Sequence, residues 1–277
     1  MVSINASLIK ELRNRTGIGI IECKKALIES QGDIQIAIDN IRKSNQFKFD
    51  KKSYRVANEG IILIKIDNHN KYGVILEINC ETDFVSQSIN FKKFGNKIIS
   101  TALYEKITQL ELLQSKFEEE KNLLSAQFGE RIDIRRLSIL QGNLIGSYIH
   151  NNNRIGVILS AKNAEIEFLK HLSMHIAASN PIYINSKDIP KDIIEHEYQI
   201  QHDITMQSQS SVKEEVRKKI IEGRMRKFIE EITLTHQKFI LNPQKTVGQI
   251  IHEQNVEIHH FIRFEIGQYN NIEKDSI

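Results

Sequence analysis

Apolar residues follow two rhythms along this chain. Near the N-terminus they recur at helical spacing: Leu8, Ile9 and Leu12, then Cys23, Ala26 and Leu27, then Ile34, Ile38 and Ile41. Three stripes with the 3.6-residue period predict three short helices over residues 1 to about 44. Thr16-Gly17-Ile18-Gly19 breaks the first from the second, and Gly32-Asp33 separates the second from the third. From Gly60 the rhythm changes. Residues 60–67 and 70–80 read as strands, with Val74, Ile75, Leu76 and Ile78 nearly continuous, and the Asn-rich stretch between them suits a hairpin turn.

The second rhythm occurs twice. NKYGVIL (70–76) matches NRIGVIL (153–159) at an offset of 83, and a strand pattern precedes each copy. A helical stripe follows each: Phe91, Phe94 and Ile98 in the first, Leu169, Leu172 and Ile176 in the second, now at an offset of 78. A late strand closes each, over 132–140 and 258–266. Two hairpin–helix–strand subdomains in tandem are the simplest reading, an α+β fold with antiparallel sheets.

The repeat is unequal at one corner. The fall from 83 to 78 gives the first copy about five extra residues between strand and helix, within ETDFVSQ, where the second has SAKNAEIE. Thr82 is a good helix N-cap, and Asp83 would sit in the first turn, where a negative charge suits the helix dipole. Phe84 follows. The plain alternative is a capped helix whose Phe packs inward. A purely structural corner should look alike in both copies, so the asymmetry favours Asp83 and Phe84 as a contact site. A carboxylate beside a large aromatic on a rigid corner is a tool for prying at a partner.

The second copy has an insertion of its own. Pro181 and Pro190 precede a helical run over 193–207, a polar break at 207–211, and a second run over 212–232. Two helices with a short polar loop make an antiparallel hairpin. Ile193, His196, Ile200 and Ile204 would form one seam, and Val216, Ile220 and Met225 the other. Such an arm either binds a partner or is plain structure.

Composition narrows the function. The chain has 277 residues, room for two or three modules with a core. Charge is balanced, 38 Lys+Arg against 35 Asp+Glu, so no global basic field marks a nucleic-acid binder. Residues 1–55 alone are basic, 11 Lys+Arg against 6 Asp+Glu, which keeps a tRNA- or ribosome-binding module in play. A scaffold that assembles through the helical hairpin is the other alternative class. No apolar run approaches the ~20 residues of a membrane span, and Asn, Ser and Glu stand where a signal peptide needs apolar residues, so a cytoplasmic location is expected. The two cysteines, Cys23 and Cys80, lie in different modules with no CxxC and read as reduced and structural.

Candidate chemistry is sparse. No GxxxxGK[ST] loop is present, so direct nucleotide binding of that kind is not expected. His171 and His175 share a helical face at i, i+4, but HLSMH lacks the glutamate of HExxH. No cofactor or metal is expected, and no catalytic residue in the chemical sense.

LRNRTGIGIIECKKAL (12–27) and EINCETDFV (77–85) together closely resemble the two signature segments of the elongation factor Ts family. The resemblance continues in one order through IDIRR (132–136), GSYIH (146–150), RIGVIL (154–159), MHIAAS (174–179), EGRMRKF (222–228), KTVGQ (245–249) and FIRFEIG (261–267). Departures are local: Gln87 replaces a residue usually basic, Phe128 replaces a smaller aliphatic one, and the tail after Gly267 is short.

The resemblance implies a guanine nucleotide exchange factor, with no chemistry of its own, that binds elongation factor Tu in its GDP or nucleotide-free form. It implies an N-terminal ubiquitin-associated-like three-helix domain with a basic linker (1–55), a first α+β subdomain (56–141), a second (142–186 and 229–267), an inserted helical hairpin (187–228) and a tail (268–277). Asp83 and Phe84 would form an exchange wedge near the partner's magnesium and phosphate site, flanked by Thr82 and Val85. Arg13, Ile20, Ile21, Lys24, Lys52, Phe128, Gly129 and His150 match partner-contact positions. The ten-residue tail is too short for a stable isolated helix.

Overall fold

The structure, a computed structural model, describes residues 5–16, 19–43, 59–208 and 213–268. Lys52, the 48–55 linker and all of the tail beyond Gln268 lie outside the described residues.

Three helices open the chain: α1 (Ala6–Thr16), α2 (Ile20–Glu29) and α3 (Ile34–Lys43). The hairpin β1 (Glu59–Ile66) and β2 (Tyr72–Cys80) follows, then α4 (Asp83–Gln87), α5 (Ile89–Tyr104), α6 (Leu110–Lys116), α7 (Glu118–Phe128) and β3 (Asp133–Gln141). A second hairpin, β4 (Leu144–His150) and β5 (Ile155–Lys162), leads into α8 (Ile166–Ser179) and the paired helices α9 (Lys191–Ser208) and α10 (Glu214–Ile232). The short β6 (Lys238–Phe239) and β7 (Asn242–Thr246), α11 (Val247–Glu253) and β8 (Glu257–Glu265) complete it. Both main sheets are three-stranded and antiparallel, ordered β1-β2-β3 and β4-β5-β8. The fold is α+β.

The sheets and α4–α8 form one compact unit. β2 is buried along its whole length, which explains its unbroken apolar run. Val74, Leu76 and Ile78 face Phe91, Phe94 and Ile98 of α5, while Ile75 faces a second core shared with Ile62, Ile145, Ile158 and Phe264. In the other sheet Val157 and Leu159 face Leu169, Leu172 and Ile176 of α8. The layers are therefore helix, sheet, sheet, helix.

The contact between the sheets is reciprocal. Ile62 N–H donates to Asn153 O at 2.7 Å, and Ile145 N–H donates to Asn70 O at 2.7 Å. Ile62 and Ile145, like Asn70 and Asn153, stand 83 positions apart. Gly156 packs on Ile62 as Gly73 packs on Ile145, again at the same offset. The internal repeat thus sets an approximate two-fold relation between the subdomains.

One departure from ideal pairing matters. The β2–β3 register slips between Glu77 and Ile78, leaving Arg135 as an extra residue. In a regular strand Arg135 and Arg136 would point to opposite faces. The bulge lets both reach the fully buried Glu77: Arg135 at 2.7 Å, Arg136 through its Nε. Arg136 also donates to Glu265 O at 2.9 Å and lies 4.0 Å above the Phe264 ring, tying the first sheet to β8. Burial lowers its pKa against the opposing pull of Glu77.

The other compact unit holds α1–α3 with α9 and α10. Leu12, Cys23, Ala26, Leu27, Ala37 and Ile41 form its small core. The hairpin, expected as an arm of the second subdomain, instead packs against the N-terminal helices: α9 meets α3, and the His196 ring lies 3.2 Å from Asp39. The expected seams are corrected too. On α9 Ile200 is buried together with Glu197 and Thr205, whereas Ile193 and His196 are exposed. On α10 Ile221 and Met225 are buried and Val216 is exposed. Turning the helices this way brings Arg224 Nη1 to Thr205 Oγ1 at 3.2 Å, so the seam contains a polar contact that an apolar count overlooks.

Candidate functional site: the corner between β2 and α5

Eight residues, 81–88, separate β2 from α5, whereas three, 163–165, separate β5 from α8. The additional five make α4, a single helical turn present in one copy of the repeat. Thr82 caps it: its backbone is extended and its hydroxyl accepts from Val85 N–H at 3.5 Å. Ser86 Oγ donates back to Asp83 O at 2.9 Å. Ser88 then caps α5 by accepting from Phe91 N–H at 3.2 Å, so the chain turns sharply between two capped helices.

The turn is fastened from below and bare above. Val85 is buried in the core under β2, so its expected part as a contact residue is corrected: it anchors α4. Cys80 Sγ–H points to Thr82 O at 3.2 Å, and burial beside Glu130 and Glu59 pushes its thiol up to about 12. Phe84, by contrast, is 84% exposed and Asp83 is exposed beside it. Leaving a phenyl ring in water on an otherwise fastened turn forfeits ~1.5–3 kcal/mol of burial. Ile89, at the start of α5, is 71% exposed as well. Gln87 accepts from Lys92 Nζ at 2.8 Å, so the ammonium of Lys92 adjoins the position of the unusual glutamine.

A second segment closes the base of the corner. α7 ends at Gly129, in a left-handed conformation (φ +69°), and the chain returns past Thr82. Glu130 Oε1 accepts from the Thr82 hydroxyl at 2.6 Å, and Oε2 accepts from the Thr82 N–H at 3.0 Å. Arg131 N–H donates to Glu81 at 3.2 Å. Phe128 is half-buried and leans on the first core, while Gly129 is exposed. Thr82, Asp83, Phe84 and Gly129 therefore belong to one corner. Glu130 did not stand out in the sequence; only its place directly after a helix-ending Phe-Gly hinted at it.

The remaining candidates lie elsewhere. His150 is exposed at the end of β4, its Nδ1 3.0 Å from Tyr148 Oη. In the helical unit Ile20 and Ile21 are 54% and 78% exposed on the first turn of α2, with Lys24 and Arg13 also exposed. His175 is fully buried, and both its ring nitrogens are engaged, Nε2 by Gln237 Oε1 at 3.0 Å and Nδ1 by Ile240 N–H at 3.3 Å. This imidazole is a structural, neutral group whose pKa burial lowers. Among the described residues no cluster of three or more His, Cys, Asp and Glu is placed to hold a metal, and no helix is long and apolar enough to cross a membrane.

A duplicated α+β scaffold that displays an aromatic ring on a fastened turn has the form of a recognition protein. Residues 81–268 match the family model described as Elongation factor TS. Over all 277 residues the chain is 54% identical to Elongation factor Ts of Sodalis glossinidius (strain morsitans), covering 95% of that protein. It is 51% identical over 268 residues to Elongation factor Ts of Yersinia pestis (strain Pestoides F), covering 97% of this chain and 93% of that one. The chain belongs to the elongation factor Ts family.

Proposed function

We propose that this chain is a guanine nucleotide exchange factor: it binds elongation factor Tu in the cytoplasm and speeds GDP release during translation elongation. The observation that carries this reading is Phe84, exposed with Asp83 on a turn that only one copy of the repeat possesses.

The mechanism is linkage. A protein that binds the nucleotide-free partner better than the GDP-bound partner weakens GDP by the same factor. Moving a population from 1:99 to 99:1 takes ~5.5 kcal/mol of differential contact. Burying one Phe supplies ~1.5–3 kcal/mol, so the wedge needs a second surface. Phe84 enters between partner side chains as the ring loses water. Asp83 acts on the neighbourhood of the partner's magnesium, an ion that keeps several waters and few protein ligands. Ile20 and Ile21 supply apolar anchorage from α2, with Arg13, Lys24 and Lys52 steering the approach. Gly129 and His150 extend the contact along the sheet unit. No bond in the nucleotide is made or broken.

Stopped-flow release of a fluorescent GDP from the cognate elongation factor Tu tests the proposal. Release should accelerate with the concentration of this protein and saturate. Release unchanged at micromolar concentrations of a folded sample would overturn it.

A further inference from the structure

Thr82 offers two hydrogen-bond donors, its backbone N–H and its hydroxyl, and one carboxylate from 48 residues along the chain takes both. The distances are 3.0 Å to Glu130 Oε2 and 2.6 Å to Glu130 Oε1. Hydrogen bonds to an ionised acceptor are about twice as strong as neutral ones, and a two-point attachment fixes direction as well as distance. Because the hydroxyl proton is committed to Glu130, the oxygen's lone pairs are left to accept from Val85 N–H, so the grip and the cap act together. The adjoining bond, Arg131 N–H to Glu81, tethers the residue before Thr82 to the residue after Glu130.

An isolated five-residue helix has no stability of its own. Without the grip, the turn that carries Asp83 and Phe84 keeps the buried Val85 and Ser86, the long 3.5 Å Thr82 cap and the Arg131–Glu81 bond beside it. We propose that Glu130 is a positioning residue for nucleotide exchange: through Thr82 it holds the turn in its presenting conformation, so that the ordering cost of Phe84 insertion is met in the free protein. This inference rests on the exchange reading above. Glu130 itself need not touch the partner.

The corresponding corner of the second subdomain frames the point. There α8 begins after three residues, its N-cap Glu165 makes no side-chain cap bond, and no extra turn has to be held. The carboxylate clamp occurs where the extra turn occurs.

Two measurements on the whole chain test the proposal. Amide hydrogen exchange in the free protein should be at least tenfold faster at the hydrogen-bonded amides of Thr82, Val85 and Ser86 in Glu130→Ala than in wild type, with the β2 and α5 amides unchanged. In GDP release from elongation factor Tu, Glu130→Ala should lower the maximal stimulated rate about tenfold and move the half-saturating concentration less than threefold. Glu130→Gln, which keeps the length but one carbonyl acceptor, should fall between. In a Phe84→Ala background Glu130→Ala should cost less than twofold more, since it acts through Phe84. Unchanged amide exchange at Thr82, Val85 and Ser86, or effects of the two variants that multiply, would overturn the role of Glu130 while wild-type stimulation stands. Absence of stimulation by the wild type would instead defeat the exchange reading, and the positioning role with it. If Glu130→Ala does not fold, Glu130→Gln and Thr82→Val carry the same comparison, and both must show the loss.

Discussion

Gly156 stands against Ile62: a Cβ built on the glycine would lie 2.5 Å from Ile62 Cγ2, with Ile64 and Ile75 close behind. The two sheets meet here at the distance a missing side chain allows. At the equivalent place in the other copy, a Cβ on Gly73 would lie 3.3 Å from Ile145 Cγ2, a contact a small shift relieves. Gly156→Ala should therefore cost ~1–3 kcal/mol in urea unfolding, by overpacking, and Gly73→Ala less than half as much. Equal costs would mean that the two faces of the contact are equally tight.

Glu77 is fully buried between Arg135 and Arg136. Glu77→Ala leaves the Arg136 guanidinium buried without its carboxylate, and should destabilise the protein by ~3–5 kcal/mol in chemical denaturation. The loss should persist in 0.5 M salt, because screening acts mainly on exposed charge. A loss below ~1 kcal/mol would show that water replaces the carboxylate readily.

Phe84→Ala removes a ring that is almost wholly exposed. Stability should change by less than ~0.5 kcal/mol, while stimulated GDP release falls tenfold or more, the rate equivalent of ~1.4 kcal/mol or above. Asp83→Asn should impair release less, and chiefly with magnesium present. Thermal unfolding and stopped-flow release on the same samples separate the two effects, and a defect in folding alone would count against the wedge.

His175 makes stability depend on pH. Its folded pKa is lowered by burial, so the unfolded chain, at about 6.5, binds the proton more readily. The stabilisation is complete above about pH 6.5 and is lost as pH falls below it toward the folded value. In that window stability should drop by at most ~1.4 kcal/mol per pH unit from this group. Unfolding of wild type and His175→Gln compared between pH 8 and 5.5 isolates the contribution. A wild type with no steeper acid loss than the variant would contradict it.

Cys23 and Cys80 are buried, and burial raises both thiols, Cys80 to about 12. Neither presents a thiolate at pH 8, so modification by a thiol reagent should follow unfolding and increase sharply in urea. Rapid labelling of Cys80 in the native protein would show a corner looser than the Thr82–Glu130 geometry allows.

Much of the fold is written in periodicity. Phe91, Phe94 and Ile98, and their partners Leu169, Leu172 and Ile176, are all buried where the stripes place them. The offset of 83 carries through to individual hydrogen bonds. What periodicity cannot show is where the period breaks. The 132–140 run reads as a regular strand, and nothing in Arg135-Arg136 announces a bulge, because the bulge answers a charge on another strand. The helices α6 and α7 also escaped the apolar pattern. α7 buries no residue fully, and its clearest signals are the three glutamates of its first turn and Gly129 after its end. In the helical hairpin the buried seam includes Glu197 and Thr205, polar residues that a hydrophobic stripe passes over. At the corner, the length difference between copies exposed Asp83 and Phe84, but Glu130 works through a contact across 48 residues that local reading does not reach.

The reciprocal pairing of Asn70 with Ile145 and Asn153 with Ile62 gives the sheet unit the form of a two-fold dimer in one covalent chain, with unequal halves. Tethering turns the meeting of the halves into an intramolecular event at an effective concentration of order millimolar, so a modest interface suffices. It also removes the constraint every true two-fold dimer obeys, that a change in one subunit appears in both. One half is then free to lengthen a turn and bare a phenylalanine while the other keeps the short, closed form.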